Sequence, residues 1–377
     1  MPFVEIPADN IRLYYRTNLH RDDVSRIDPR KPTIIFLHGL FLDSTFIPQF
    51  SDRRLNSNFN LIAFDLLSCG FTSNPVRPDH DTWVEAAIIA LGHEALQLPP
   101  CHIFATQIIA ISTALRLTML YPEKCLSLSL CGASCPTDLS WAQTTLRELV
   151  SFWCFAEDQE EFDDGSLEVA AFLFNERNLT HDEFDELTLY WETYLPPSKR
   201  TKVVDICSVI LTKGPDTAEE LGSIAQPVLI LHGDSAPIHT IECIDYLRSG
   251  LTGVQGGVRV EVIRGGPECL SYPNAFAPTL NEIFLSFLDS TPRQQFPRSG
   301  ILPLPSPNPT DLFRRGLFHL ARFAHDSTIT TRSPLSAFSF SRVPPEKVTS
   351  SRAWITEYAK DERRAFTPDT SSESYRK

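Results

Sequence analysis

Cys101-His102-Ile103-Phe104-Ala105-Thr106-Gln107-Ile108-Ile109-Ala110-Ile111 changes periodicity within two residues. Cys101 to Ala105 is an apolar run of strand length, and a helical pattern follows from about Ile108 to Leu120, ended by Tyr121-Pro122. The same alternation continues on either side. Downstream, Leu126 to Leu130 is the next strand candidate. Upstream, Asp81 opens a helix to about Leu96, with apolar residues at Val84, Ile88, Leu91 and Ala95, and Pro99-Pro100 stops it. Leu61 to Leu66 and Pro32 to Phe36 are earlier strands, the latter running into Leu37-His38-Gly39, and Phe3 to Thr17 reads as two short strands around Ala8-Asp9-Asn10. Further on come Pro227 to Leu231, a helix around Ile241–Leu247, a strand Val258–Ile263 and a helix Asn274–Leu288. Continuous apolar strands alternating with helices predict an α/β fold with a mostly parallel central sheet covered by helices on both faces.

The alternation breaks once. Residues 136–223 read as helical and rich in aromatic and acidic side chains, with 19 Asp+Glu against 6 Lys+Arg. An α/β core over 1–135 and 224–289 with a helical cap over 136–223 is therefore expected. Residues 290–377 differ again: 10 prolines, many serines, and 14 Lys+Arg against 8 Asp+Glu. That composition predicts a mostly disordered basic tail. One short helix at about 312–324 is expected in it, with Phe313, Leu317, Leu320 and Ala324 on one face. Such a helix could contact a membrane surface, a partner or the acidic body.

Whole-chain properties bound the function. The 377 residues carry a net charge of −13, and the positive excess is confined to the tail, which argues against nucleic-acid binding by the body. No run approaches 18 apolar residues, so no transmembrane segment is expected. Met1-Pro2-Phe3-Val4-Glu5 has neither a basic nor an apolar run, so no secretory signal is expected. Nine cysteines at irregular spacing, with no CxxC pair, predict reduced, buried thiols in a cytoplasmic protein rather than a disulfide framework or a zinc site.

Four motifs, in order, resemble the α/β-hydrolase family with a helical cap, over roughly residues 3–289. His38-Gly39 resembles its HG oxyanion loop. Asp65-Leu66-Leu67-Ser68-Cys69-Gly70-Phe71-Thr72-Ser73 resembles its D-x-x-G-x-G-x-S turn, with one glycine kept. Tyr121-Pro122-Glu123-Lys124 before Leu126 to Leu130 resembles its YPE-[KR] segment, and Leu231-His232-Gly233-Asp234 its HG-x-x-D turn.

The resemblance implies a G-x-S-x-G elbow, a histidine and a carboxylate. This chain departs at all three. Gln107 holds the serine position counted from the strand, and Ile108 holds it counted back from Pro122; Ala105 and Ile109 replace the glycines. Ala236 stands at the acid position, with Asp234 and Ser235 nearby. Glu268 stands where the histidine belongs, and no histidine lies between His239 and His319, so no imidazole is expected near the elbow.

The expectation is a hydrolase-like protein without hydrolase activity, with neither metal nor cofactor. It would keep a pocket for a small apolar ligand around His38, Gly39, Leu40, Thr106, Gln107, Ile108 and Glu268, roofed by Trp141, Trp153, Phe155 and Trp191. His38 is expected to orient the oxyanion loop, and Thr106 to cap the helix. Two alternatives stand beside it: a weak esterase using Thr106 with Glu268 or Asp234, and an interaction protein acting through the acidic cap and basic tail. Ligand identity and oligomeric state are not legible.

Overall fold

The structure, a computed structural model, describes residues 2–133, 140–291 and 308–369. Its strands are β1 Phe3–Ile6, β2 Ile11–Thr17, β3 Thr33–Leu37, β4 Asn60–Phe64, β5 Cys101–Thr106, β6 Cys125–Cys131, β7 Val228–Gly233 and β8 Arg259–Ile263. They form one sheet in the order β1-β2-β4-β3-β5-β6-β7-β8, antiparallel at β1-β2 and β2-β4 and parallel elsewhere. β3, β4, β5 and β7 are buried at every position, because helices cover both faces.

The helices of the core are α1 Arg53–Asn58, α2 Thr82–Ala95 and α3 Gln107–Leu120. Between β6 and β7 come α4 Ser140–Cys154, α5 Gln159–Phe174, α6 His181–Tyr194, α7 Arg200–Thr212 and α8 Ala218–Gly222. The first few residues of the expected cap, 134–139, lie outside the described residues. α9 Ile241–Gly250 and α10 Ala277–Ser290 complete the α/β alternation, and α11 Pro309–Phe323 and α12 Pro345–Ala359 follow.

The order of strands positions the site. From β3 the chain steps to β4 on one side, then returns to β5 on the other, so the connections out of β3 and β5 diverge. A crevice opens at the carboxyl ends of strands where the order reverses. Leu37 pairs with Ala105 there, which sets the loop after β3 beside the turn into α3.

The expectation of disorder over 290–377 is corrected for residues 308–369. Leu312, Phe313, Gly316, Leu317, Leu320 and Ala321 of α11 are buried on α2 and α3. Phe338 and Phe340 are buried in the same core. The apolar face that could have met a membrane or partner is taken up by the chain itself; Phe318 points away and is exposed. Prolines and serines lowered the average hydrophobicity of the segment, while its apolar stripe was concentrated enough to dock. Polar ties reinforce the docking: Arg342 N–H donates to Asp81 Oδ2 at 2.7 Å, and Ala337 N–H to Asp9 Oδ2 at 2.7 Å. Arg342 and Arg315 also pair with Glu220 and Glu123, so basic tail meets acidic body within one chain. Residues 292–307 and 370–377 lie outside the described residues.

Seven cysteines (Cys69, Cys101, Cys125, Cys131, Cys154, Cys207 and Cys269) are free and buried. Cys243 departs from the expectation of reduced thiols and is disulfide-bonded, a pairing that sequence spacing cannot reveal. Among the described residues no helix is long and apolar enough to cross a membrane.

Candidate active site

Gln107 sits at the turn from β5 into α3 with φ of +64°. A non-glycine residue in that left-handed region is held there by its surroundings at a cost of about 1–2 kcal/mol. The residue at the turn is thus Gln107, the one reached by counting from the strand, and Ile108 follows it in α3. The side chain of Gln107 turns toward the loop after β3, where its Oε1 accepts the Leu40 N–H at 2.6 Å. Glycine at position 39 makes room for this, since a Cβ there would lie 2.6 Å from the same oxygen.

That loop is fixed from below by His38. Its Nε2 accepts the Leu66 N–H at 2.9 Å and its Nδ1–H donates to the Gly39 carbonyl at 2.9 Å. Burial lowers the imidazole pKa, in keeping with a neutral ring that accepts at one nitrogen and donates at the other. His38 therefore orients the loop. The Asp65 turn is built similarly: Oδ1 accepts from Ser44 N–H and Oδ2 from Phe71 N–H. Gly70, at φ of +48°, lets the backbone close over that carboxylate, where a Cβ would collide with Oδ2. Burial and the nearby Asp43 push the Asp65 pKa up to about 7.

Thr106 is tied to the strand beside it. Its hydroxyl donates to the Leu37 carbonyl at 3.3 Å, and it makes no cap bond to α3, so the capping expectation is also corrected. Ala236 lies in the turn after β7. Asp234 is exposed and accepts the Gly265 N–H at 2.6 Å, tying the β7 and β8 loops together. Among the described residues no hydrogen bond joins Thr106 to Glu268 or Asp234.

The expectation that no imidazole lies near the elbow is overturned by His239. This residue comes from the loop after β7, and its Nδ1 bonds Glu268 Oε1 from the loop after β8. Glu268 Oε2 accepts the Ile238 and His239 backbone N–H groups at 3.2 and 3.3 Å. Burial alone would raise the Glu268 pKa, but the bonds from His239 and Ile238 outweigh it and hold the carboxyl below its ordinary value. Acid and histidine have thus exchanged loops relative to the order expected from the resemblance. The resemblance implies a histidine after β8, whereas His239 lies after β7, six residues beyond Gly233. A glutamate at the histidine position was the available signal for looking in the opposite loop.

His239, Glu268, Gln107, Leu40 and Ile108 line one partly open cavity of about 50 Å³. Its remaining wall is mostly apolar and comes largely from the insertion, through Ala142, Leu146, Phe172, Leu173 and Ile210. Trp141, Trp153, Phe155 and Trp191 do not line it. Trp153 and Trp191 are fully buried against each other with ring centroids 5.1 Å apart, and Trp141 and Phe155 are exposed. His38 and Gly39 do not line it; they lie around a smaller void of about 10 Å³ with Leu66, His80 and Glu85. Among the described residues no cluster of ligating side chains suits a metal ion.

A second buried polar cluster ties the insertion to the core. His80 Nδ1 lies 3.1 Å from Asp205 Oδ1 on α7, and its Nε2 lies 3.1 Å from Glu85 Oε1 on α2. Ser68 hydroxyl donates to Asp205 Oδ2. Burial works against charge on His80, but Asp205 and Glu85 together raise its pKa to about 10.

No protein-family profile matches the chain, and no curated protein matches it by sequence. Solved structures do. A carboxylesterase structure from the thaumarchaeon Nitrososphaera gargenis superposes with a TM-score of 0.61 at 14% identity, over 76% of this chain and 98% of that one. The enol-lactonase from Burkholderia xenovorans LB400 gives 0.59 at 15% identity, over 77% and 100%. A membrane phospholipase A described as a bacterial virulence factor gives 0.59 at 19% identity, over 76% and 84%. The chain has the α/β-hydrolase fold. At these identities the likeness speaks for the fold alone, and what the α/β-hydrolase scaffold does here rests on its own residues.

Proposed function

We propose that this α/β-hydrolase-fold protein has lost hydrolase activity and binds a small apolar molecule in the cavity over Gln107, with residues 136–223 acting as its cap. One observation carries the reading: the elbow holds a glutamine, whose carboxamide oxygen already occupies the Leu40 N–H. A carboxamide cannot form an acyl-enzyme, and an ester carbonyl would have to displace it to reach that donor. The apolar wall from α4, α5 and α7 supports a ligand with little polarity. The direct contacts between tail and body weigh against a role that needs both surfaces free for another protein.

The test has two arms. With p-nitrophenyl butyrate, no burst of p-nitrophenolate is expected. With the neutral fluorophore N-phenyl-1-naphthylamine, saturable binding is expected, and Leu146→Trp, which fills the cavity, should abolish it. A burst of one p-nitrophenolate per chain would overturn the loss of hydrolysis, and binding unchanged by Leu146→Trp would overturn the cavity.

A further inference from the structure

Among the described residues, the cavity is lined by a base and by no nucleophile. Glu268 engages His239 through Oε1 at the ring and Oε2 at the backbone, so both the orientation and the tautomer of the imidazole are set from one side. An ionised Glu268 keeps the proton on Nδ1, which leaves Nε2 with its lone pair. Nε2 has no hydrogen-bond partner among the described residues, and the ring lines the cavity. The Gln107 carboxamide nitrogen also makes no hydrogen bond among the described residues, while its oxygen is held by Leu40. An acceptor and an N–H donor therefore line one apolar cavity.

We propose that His239 is the catalytic base of a proton-transfer site that acts on an acidic C–H of an apolar carbonyl compound, with the Gln107 N–H groups holding the oxygen that gains charge. The proposal rests on the cavity reading above and adds an activity to it. The C–H bond breaks and its proton passes to His239 Nε2. The electron pair moves through carbon to the carbonyl oxygen, which becomes an enolate at Gln107. The imidazolium then returns the proton to the same carbon, giving exchange, or to a conjugated one, giving isomerisation, and no oxidant or reductant is consumed. An apolar surround suits this chemistry, because a fixed donor is worth more there than in water. Glu268 is a positioning residue, acting only through His239.

The probe is 5-nitrobenzisoxazole, a flat apolar molecule that opens when a base takes its ring C–H. The proton goes to the base, the C–H pair completes the nitrile, and the N–O bond breaks to release a coloured phenolate. With the full chain, saturable ring opening about 100-fold above buffer is expected. It should fall to background in His239→Gln and in Leu146→Trp, and N-phenyl-1-naphthylamine should inhibit it competitively. Glu268→Gln should lower kcat and leave KM nearly unchanged, since the ring loses the carboxylate that fixes its orientation and tautomer.

Should His239→Gln fail to fold, Leu146→Trp and the fall in kcat at unchanged KM in Glu268→Gln still decide the matter. Naphthylamine binding without a His239-dependent rate would overturn the proposal and leave the cavity reading standing. Absence of both would overturn the two together. A rate that His239→Gln leaves unchanged would show an apolar medium effect and also overturn it.

Discussion

The carboxamide oxygen of Gln107 and the backbone N–H of Leu40 are 2.6 Å apart, and the absent side chain of Gly39 is what lets them meet. The elbow and the loop after β3 are thus fitted to each other. Gly39→Ala would place a methyl group against Oε1 and break the bond, costing about 1–3 kcal/mol. Gln107→Ala should cost a similar amount by leaving the buried Leu40 N–H unpaired. Once the carboxamide is gone the alanine at 39 meets little, so the double variant should be about 1–2 kcal/mol more stable than the sum of the single effects implies. Urea unfolding of the four proteins measures this, and simple additivity would refute the fit.

Gln107 also carries backbone strain at φ of +64°. Glycine adopts that conformation freely, so Gln107→Gly should be about 1 kcal/mol more stable than Gln107→Ala, although both lose the bond to Leu40. Equal melting temperatures for the two variants would show that the turn relaxes when the glutamine leaves.

His80 lies between Asp205 of the insertion and Glu85 of the core. Its pKa is raised to about 10, above the ordinary value near 6.5, so the folded state favours the charged ring. The stabilisation is fully present below about pH 6.5 and is lost as pH rises through about 10. His80→Gln removes the cation and leaves two buried carboxylates, which should cost about 3–5 kcal/mol at pH 6. The gap between variant and parent should narrow steadily from pH 7 to pH 10. A constant gap in thermal or urea unfolding across that range would mean that His80 is neutral in the fold.

Much of the sheet was legible because strand runs such as Ile34 to Leu37 and Leu61 to Phe64 are apolar without alternation, which only a doubly covered sheet explains. Gln107 and Glu268 are reached by laying the elbow and histidine turns implied by the resemblance onto the strand ends, which left Ile108 as a second candidate for the elbow. His239 was missed because loops after parallel strands converge in space in a manner that sequence order does not report. The tail was misread for a different reason. Its composition was averaged over 88 residues, while the evidence for its docking lay elsewhere, in α2 and α3. From Trp83 to Leu91 and from Gln107 to Leu120 both helices are buried all round, so one side needs a cover besides the sheet. Apolar residues on every face of those helices were the signal that something in the chain, here α11, must lie over them.

That cover leads to the last prediction, the effect of ending the chain at residue 291. The cut would remove Leu312, Phe313, Leu317, Leu320, Phe338 and Phe340, all buried in the main core. At about 1.5–3 kcal/mol for each side chain, their loss is on the order of 10 kcal/mol, as large as the whole stability of a typical domain. It would also strip the cover from α2 and α3 and leave Tyr121 without Leu312, whose carbonyl accepts its hydroxyl. The truncated chain should therefore lose its cooperative melt and bind apolar dyes over its whole surface. Because the docking is mainly apolar burial, with exposed pairs such as Arg315–Glu123 contributing little, salt should not release the segment. Amide exchange of the full chain in 1 M sodium chloride is the complementary measurement. Protection of α11 there, together with collapse on truncation, is the expected result; a truncated body that melts cooperatively near the parent temperature would show that 308–369 only rests on the surface.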